Sequence, residues 1–243
     1  MRAWIFSKRT AKEILRDPLT LCFGLGFPMI VLILLSTIQA NIPVEMFEIR
    51  HLTPGITVFG LSFVSLFGGL LVAGDRSSAF ILRLYTTPMR ASDFIVGYTV
   101  PLIPFSLLQA IACYLLAFCF GLVPSVGIVW TLLFHLPVSL LFISVGLLCG
   151  SVLNAGQIGG ICGALLTNLT AWLSGVWFDI SMLGRGFETI AKILPFFHAV
   201  ELERAALLSD FSGIFPHFLI VLAWTAVLFA SSVFFFLRQM KKH

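Results

Sequence analysis

The sequence predicts an all-α integral membrane protein: six transmembrane helices preceded by an amphipathic helix on the membrane surface. Three observations carry that prediction. The 243 residues are 59% hydrophobic and 11% charged, against about 45–50% and about 25% in soluble domains. Six stretches, at about 19–38, 55–74, 94–120, 128–153, 157–178 and 214–237, supply the ~20 mainly apolar residues that a bilayer span needs. None of the six contains Asp, Glu, Lys or Arg, so all 15 basic and 11 acidic side chains fall in tails and loops.

At the N-terminus, residues 2–17 fold on a helical wheel into two faces. Trp4, Ser7, Ala11, Ile14 and Leu15 lie on one, Arg2, Arg9, Lys12, Glu13 and Arg16 opposite, with Ile5 and Phe6 interrupting the pattern. Such a helix lies in the headgroup plane, apolar side down. Asp17-Pro18 then turns the chain into the first span, because a residue before proline leaves the helical region. That first run is too long for the apolar core of a signal peptide and no A-x-A site follows it, so it reads as a retained span.

The segment 75–92 joins spans two and three. Asp75 is a candidate N-cap for a short helix from Arg76 to about Tyr85, with Phe80, Ile81 and Leu84 on one face and Thr87-Pro88 as its stop. Pro101 and Pro104 should kink the third span. Only 121–127 and 154–156 separate spans three, four and five. Gly146/Gly150, Gly156/Gly160 and Gly159/Gly163 are small-residue pairs of the kind that lets helices approach closely, read here as packing within the subunit. The segment 179–213 has helical spacing at Phe187, Ile190, Ala191 and Leu194, a stop at Pro195, and a second short helix over 198–208. No repeat or second domain is visible, so 1–243 reads as one domain.

Charge sets the orientation. With six spans both termini share a side, and that side carries 11 basic residues against 4 on the other. The excess of Lys and Arg places both termini, and segment 75–92 with Arg76, Arg83 and Arg90, in the cytoplasm.

The same residues exclude several functions. The five cysteines all lie within apolar runs and no CxxC occurs, which argues against disulfides, zinc and dithiol chemistry. No metal site or catalytic constellation is expected, nor any contact with nucleic acid. No G-x-x-x-x-G-K-[ST] is present, so the chain has no phosphate-cradling loop of its own. Spans without carboxylates or lysines disfavour a proton- or sodium-coupled carrier; His135 and His217 read as packing residues.

The stretch RSSAFILRLYTTPMRASDFIVGY resembles the cytoplasmic segment of ABC-2 type transporter permeases, matching at Thr87, Pro88, Arg90, Asp93, Phe94, Ile95, Gly97 and Tyr98. LPFFHAVELERAAL resembles the family's second motif, before the last span, matching at Leu194, Pro195, Ala199, Val200, Glu201 and Arg204. The glutamate often found near the start of the loop helix is replaced by Asp75-Arg76. The resemblance implies a type V exporter-like transmembrane domain in a prokaryotic cell membrane. It implies two copies of an ATPase subunit, which bind ATP and Mg, beneath a homodimer or related heterodimer of permeases in contact with lipid. It makes 75–92 an ATPase-coupling loop carried by Asp75, Arg76, Phe80, Ile81, Arg83, Leu84, Pro88 and Arg90, and makes Pro195, Glu201 and Arg204 an external-loop motif. Phe59, Ser62, Phe63, Phe67, Asn168 and Trp172 become the candidate path for an amphipathic or hydrophobic substrate moving outward: a drug, peptide antibiotic, lipid or glycan-lipid. Rival readings are an ATPase-independent carrier or immunity protein and, further off, an intramembrane enzyme.

Overall fold

The computed structural model describes residues 2–42, 44–78 and 91–240. Nine helices follow one another among them. They are α1 (Arg2–Arg16), α2 (Pro18–Asn41), α3 (Ile49–Ser77), α4 (Ala91–Cys119), α5 (Val126–Val152), α6 (155–173), α7 (Arg185–Ile193), α8 (Pro195–Leu207) and α9 (Phe211–Met240). There is no strand among the described residues.

Five of them, α2, α3, α4, α5 and α9, are long and apolar enough to cross a membrane. The fifth expected span corresponds to α6, which is shorter and more polar. It runs through Ala155–Ile158, a π-helical Gly159–Leu166 and Thr167–Leu173, and ends before Gly175, whose φ of 75° no helix accommodates. Its length is about 28 Å at 1.5 Å per residue, close to the ~30 Å hydrocarbon core.

The centre of the bundle is α3, with 83% of its most apolar window buried, against 22% for α2 and 17% for α9. Apolar residues gain little by leaving lipid for protein, so close backbone packing must hold such a helix. Glycines provide it. A Cβ added at Gly146 would stand 2.3 Å from the Ser65 carbonyl oxygen, and one at Gly150 2.6 Å from that of Gly69. Gly146 and Gly150 of α5 therefore serve α3. Those of α6 differ: Gly159 and Gly160 have nothing within 4 Å of an added Cβ.

The buried face of α1 is Phe6, Ser7, Thr10 and Ile14, while Trp4 and Leu15 are exposed. Phe6, which interrupts the sequence pattern, is the anchor. Its ring meets Phe94 at 5.5 Å and Tyr98 at 5.0 Å, both edge-on, and Gly97 leaves the room, since a Cβ there would lie 2.1 Å from Phe6 Cδ1. The helix thus has two apolar flanks, one against α4 and one, with Trp4 and Leu15, facing away from the protein. At its end, the Asp17 carboxylate accepts hydrogen bonds from the Leu19 and Thr20 amides, and Pro18 opens α2.

Segment 179–213 is only partly peripheral. On α7, Phe187 and Ile190 are exposed and Ala191 is buried. Pro195 starts α8, which is buried along most of its length against α3, α5 and α9. The approach is close: a Cβ at Gly127 would overlap the Leu207 carbonyl oxygen, 1.8 Å away.

Candidate functional site

The two ends of α3 organise two polar clusters. Asp75 and Arg76 lie in the last turn of α3, not at the start of a separate helix, because the helical run of span two continues past its apolar stretch to Ser77. Asp75 is buried. Its carboxylate accepts two hydrogen bonds from Arg9 of α1, at 2.5 and 2.7 Å, and one from the Tyr98 hydroxyl of α4 at 2.8 Å. Bidentate pairing of this kind fixes orientation as well as distance. That bond to Asp75 is the main reason why the Arg9 guanidinium is held above its ordinary pKa. Arg76 turns the other way and donates to the carbonyls of Ser151 and Leu153, at the C-terminus of α5, where a helix leaves carbonyls without partners. Two consecutive residues therefore tie the root of segment 78–91 to α1, α4 and α5. Phe80, Ile81, Arg83, Leu84, Pro88 and Arg90 lie outside the described residues.

On the flank of α3, Phe59, Phe63 and Phe67 recur every fourth residue and form one buried aromatic stripe. Phe27 of α2 meets Phe63 at 5.2 Å and Trp177 meets Phe59 at 5.4 Å. Ser62 points elsewhere: its hydroxyl donates to the Phe59 carbonyl and receives one from Thr167 of α6, at 3.3 Å. Asn168 is exposed and bonds its own helix at the Ala164 carbonyl; Trp172, one turn on, is 56% exposed. The structure therefore gathers the three phenylalanines. It sets Asn168 and Trp172 on an open face of α6 beside Ala171, which packs on the stripe.

The third cluster surrounds α8. Arg204 is buried and donates to Glu201 at 2.8 Å, to the His51 carbonyl at 3.2 Å and to the Gly175 carbonyl at 3.0 Å. It joins α8 to the start of α3 and to the turn after α6. Desolvation lowers its pKa, with Glu201 opposing. Pro195 supplies the first residue of α8.

Sequence reasoning passed over Arg9, Glu203 and His135. Arg9 counted among the basic-face residues, and His135 as an isolated histidine. Glu203 counted as loop, yet it is fully buried, 2.7 Å from His135 Nδ1 on α5 and 2.7 Å from Thr57 Oγ1 on α3. The spans contain no carboxylate, but α8 carries one in among them. The usable signal was local: at helical spacing Glu203 shares a face with Ala199, Ala206 and Leu207, an otherwise apolar stripe.

A bundle of helices, five of them long and apolar enough to cross a membrane, marks a multi-pass membrane protein. Comparison with known proteins gives the family. Residues 1–208 match the ABC-2 type transporter family, and the chain belongs to it as a transport permease; membership implies an ATP-hydrolysing partner. A Porphyra purpurea protein named "Putative transport permease ycf38" is 28% identical over 203 residues, 80% of this chain and 69% of that one.

Proposed function

We propose that the chain is the membrane permease of an ABC exporter, driven by a separate ATPase subunit that docks on segment 75–92 and α1. Two ATPase copies, binding ATP and Mg, serve a pair of permeases, either two copies of this chain or this chain with a related one. The pair sits in a prokaryotic cell membrane with both termini cytoplasmic. The cargo is amphipathic or apolar (a drug, peptide antibiotic, lipid or glycan-lipid) and moves outward past Phe59, Phe63, Phe67, Asn168 and Trp172.

The observation that carries this reading is the double anchorage at Asp75 and Arg76. A loop that only joined two spans would need no buried bidentate ion pair and no capped neighbouring helix at its root. Here a push on the segment is passed at once to α1, α4 and α5, which is what a coupling element requires. Exposed Lys8, Lys12 and Arg16 on α1 add a basic surface suited to an acidic partner or to anionic lipid.

The test is to purify the tagged chain from its native membrane in mild detergent and assay ATP hydrolysis. The reading expects a stoichiometric P-loop ATPase and vanadate-sensitive turnover. A chain that purifies alone, without hydrolysis, would overturn it in favour of an ATPase-independent carrier or immunity protein.

A further inference from the structure

The flank of α1 that faces away from the protein carries charge as well as apolar side chains. Trp4, Lys8, Ala11 and Leu15 stand on one line of the helix, spaced by four, three and four residues. Trp4 and Leu15 are exposed, and Lys8, Lys12 and Arg16, one helical turn apart from each other, are exposed beside them. The acids of this region are already engaged. Glu13 pairs with Arg9 at 3.0 Å, and the Asp17 carboxylate accepts from the Leu19 and Thr20 amides. Among the described residues no carboxylate lies within ion-pair distance of Lys8, Lys12 or Arg16.

Next to this flank lies a groove of about 170 Å³, with Ile14 and Leu15 on one side and Pro101, Pro104, Phe105 and Leu108 of α4 on the other. Its walls are apolar and run about 10 Å along α4, from Pro101 to Leu108. Left empty, they would forfeit dispersion contacts; in a bilayer the neighbour able to fill them is a lipid tail. The packing of the two helices sets head and tail in order. The first half of α1 meets the start of α4, where the Phe6 ring lies 5.0 Å from Tyr98, and the second half meets α4 further on, at Pro101–Leu108. Passing from Lys8 to Leu15 is therefore passing from the end of that span into its interior. Lysine stems lie along apolar surface and hold their ammonium groups in the headgroup layer, where ammonium binds phosphate as a point charge. The Trp4 indole favours the same layer.

We propose that α1 and α4 form a binding site for one anionic phospholipid, its phosphate on Lys8 and Lys12 and its acyl chain in the groove between Leu15 and Leu108. A zwitterionic lipid brings its own ammonium to these lysines and is held less well. No residue of the proposed cargo path takes part: this lipid is a resident ligand of the outer flank. The site stands whether or not an ATPase partner does, and its test needs only the full-length chain.

The chain is reconstituted in nanodiscs of equimolar phosphatidylcholine and phosphatidylglycerol, and the lipid that stays bound on transfer to detergent is read by native mass spectrometry. The wild type should retain phosphatidylglycerol in preference. Lys8→Gln with Lys12→Gln should cut that preference by about fivefold per lysine. Leu108→Trp, which fills the groove from its exposed side, should release the lipid with both lysines in place. Arg50→Gln with Arg185→Gln, which removes as much charge at the other end of the bundle, should change neither. Equal retention of the two lipids by the wild type would overturn the proposal, and retention of neither would leave the flank to a protein partner and overturn it too. So would full retention in Leu108→Trp, since attraction to a basic face alone needs no groove, or a loss in the arginine variant as large as in the lysine variant.

Discussion

Asp75 shows how one side chain can hold three helices. Arg9 and Tyr98 satisfy its carboxylate from two directions, and neither partner stands on its own helix. Hydrogen bonds to charged groups contribute about 1.5–3 kcal/mol each, and part of the Arg9 side chain is exposed, which screens its share. Asp75→Asn should therefore cost about 1–3 kcal/mol, read as a lower unfolding temperature in detergent, while Tyr98→Phe, which leaves the Arg9 pair intact, should cost about 1 kcal/mol. Equal losses in the two variants would mean that the ion pair adds nothing to the tyrosine bond. The residue scale is also where the sequence was least legible. Asp75 reads as a helix cap because Asp is a favoured capping residue and a short helical pattern follows it from Arg76, and a cap and a buried ion pair use the same residue type. Only the distant Arg9 and Tyr98 separate the two readings, and no local pattern connects positions 9, 75 and 98.

At the scale of elements, glycine placement separates two kinds of helix surface. The space beside Gly146 and Gly150 on α5 is filled by the backbone of α3, whereas Gly159 and Gly160 on α6 face open space in a single chain. Gly146→Ala should thus force α3 and α5 apart and cost about 1–3 kcal/mol, as overpacking does. Gly160→Ala should be neutral or stabilise the isolated chain by about 0.5–1 kcal/mol through helix propensity. Thermal unfolding of the two variants side by side checks this, and a comparable loss in both would place an unseen neighbour on α6. Five span helices were readable, because a long apolar run has one structural solution in lipid. The end of α6 and the burial of α8 were not. A short helix with three charged residues is legible as a loop helix; that its Glu203 finds a histidine on α5 and a threonine on α3 is a tertiary fact.

At the scale of the whole molecule, the polar clusters sit at two ends: Arg9, Asp75 and Arg76 at one, and α8 with His51 and Gly175 at the other. In the topology proposed above the first end faces the cytoplasm. Met182 is 78% exposed beside α7. In a background without native cysteines, Met182→Cys should react with a membrane-impermeant thiol reagent on intact cells, and Lys12→Cys only after permeabilisation. The reverse pattern would invert the topology. Family and fold class were both legible from motifs on two loops together with hydropathy, since these depend on composition and order rather than on contacts.

The helix α3 bears Thr57 near one end and Asp75 near the other, about 27 Å apart along its axis, and it is the most enclosed of the long helices. Arg9 and Tyr98 grip that rod at one end, and Arg204 grips the His51 carbonyl at the other. Rigid between two such ties, it can shift only if both yield together, so a disturbance at either end is felt at the other.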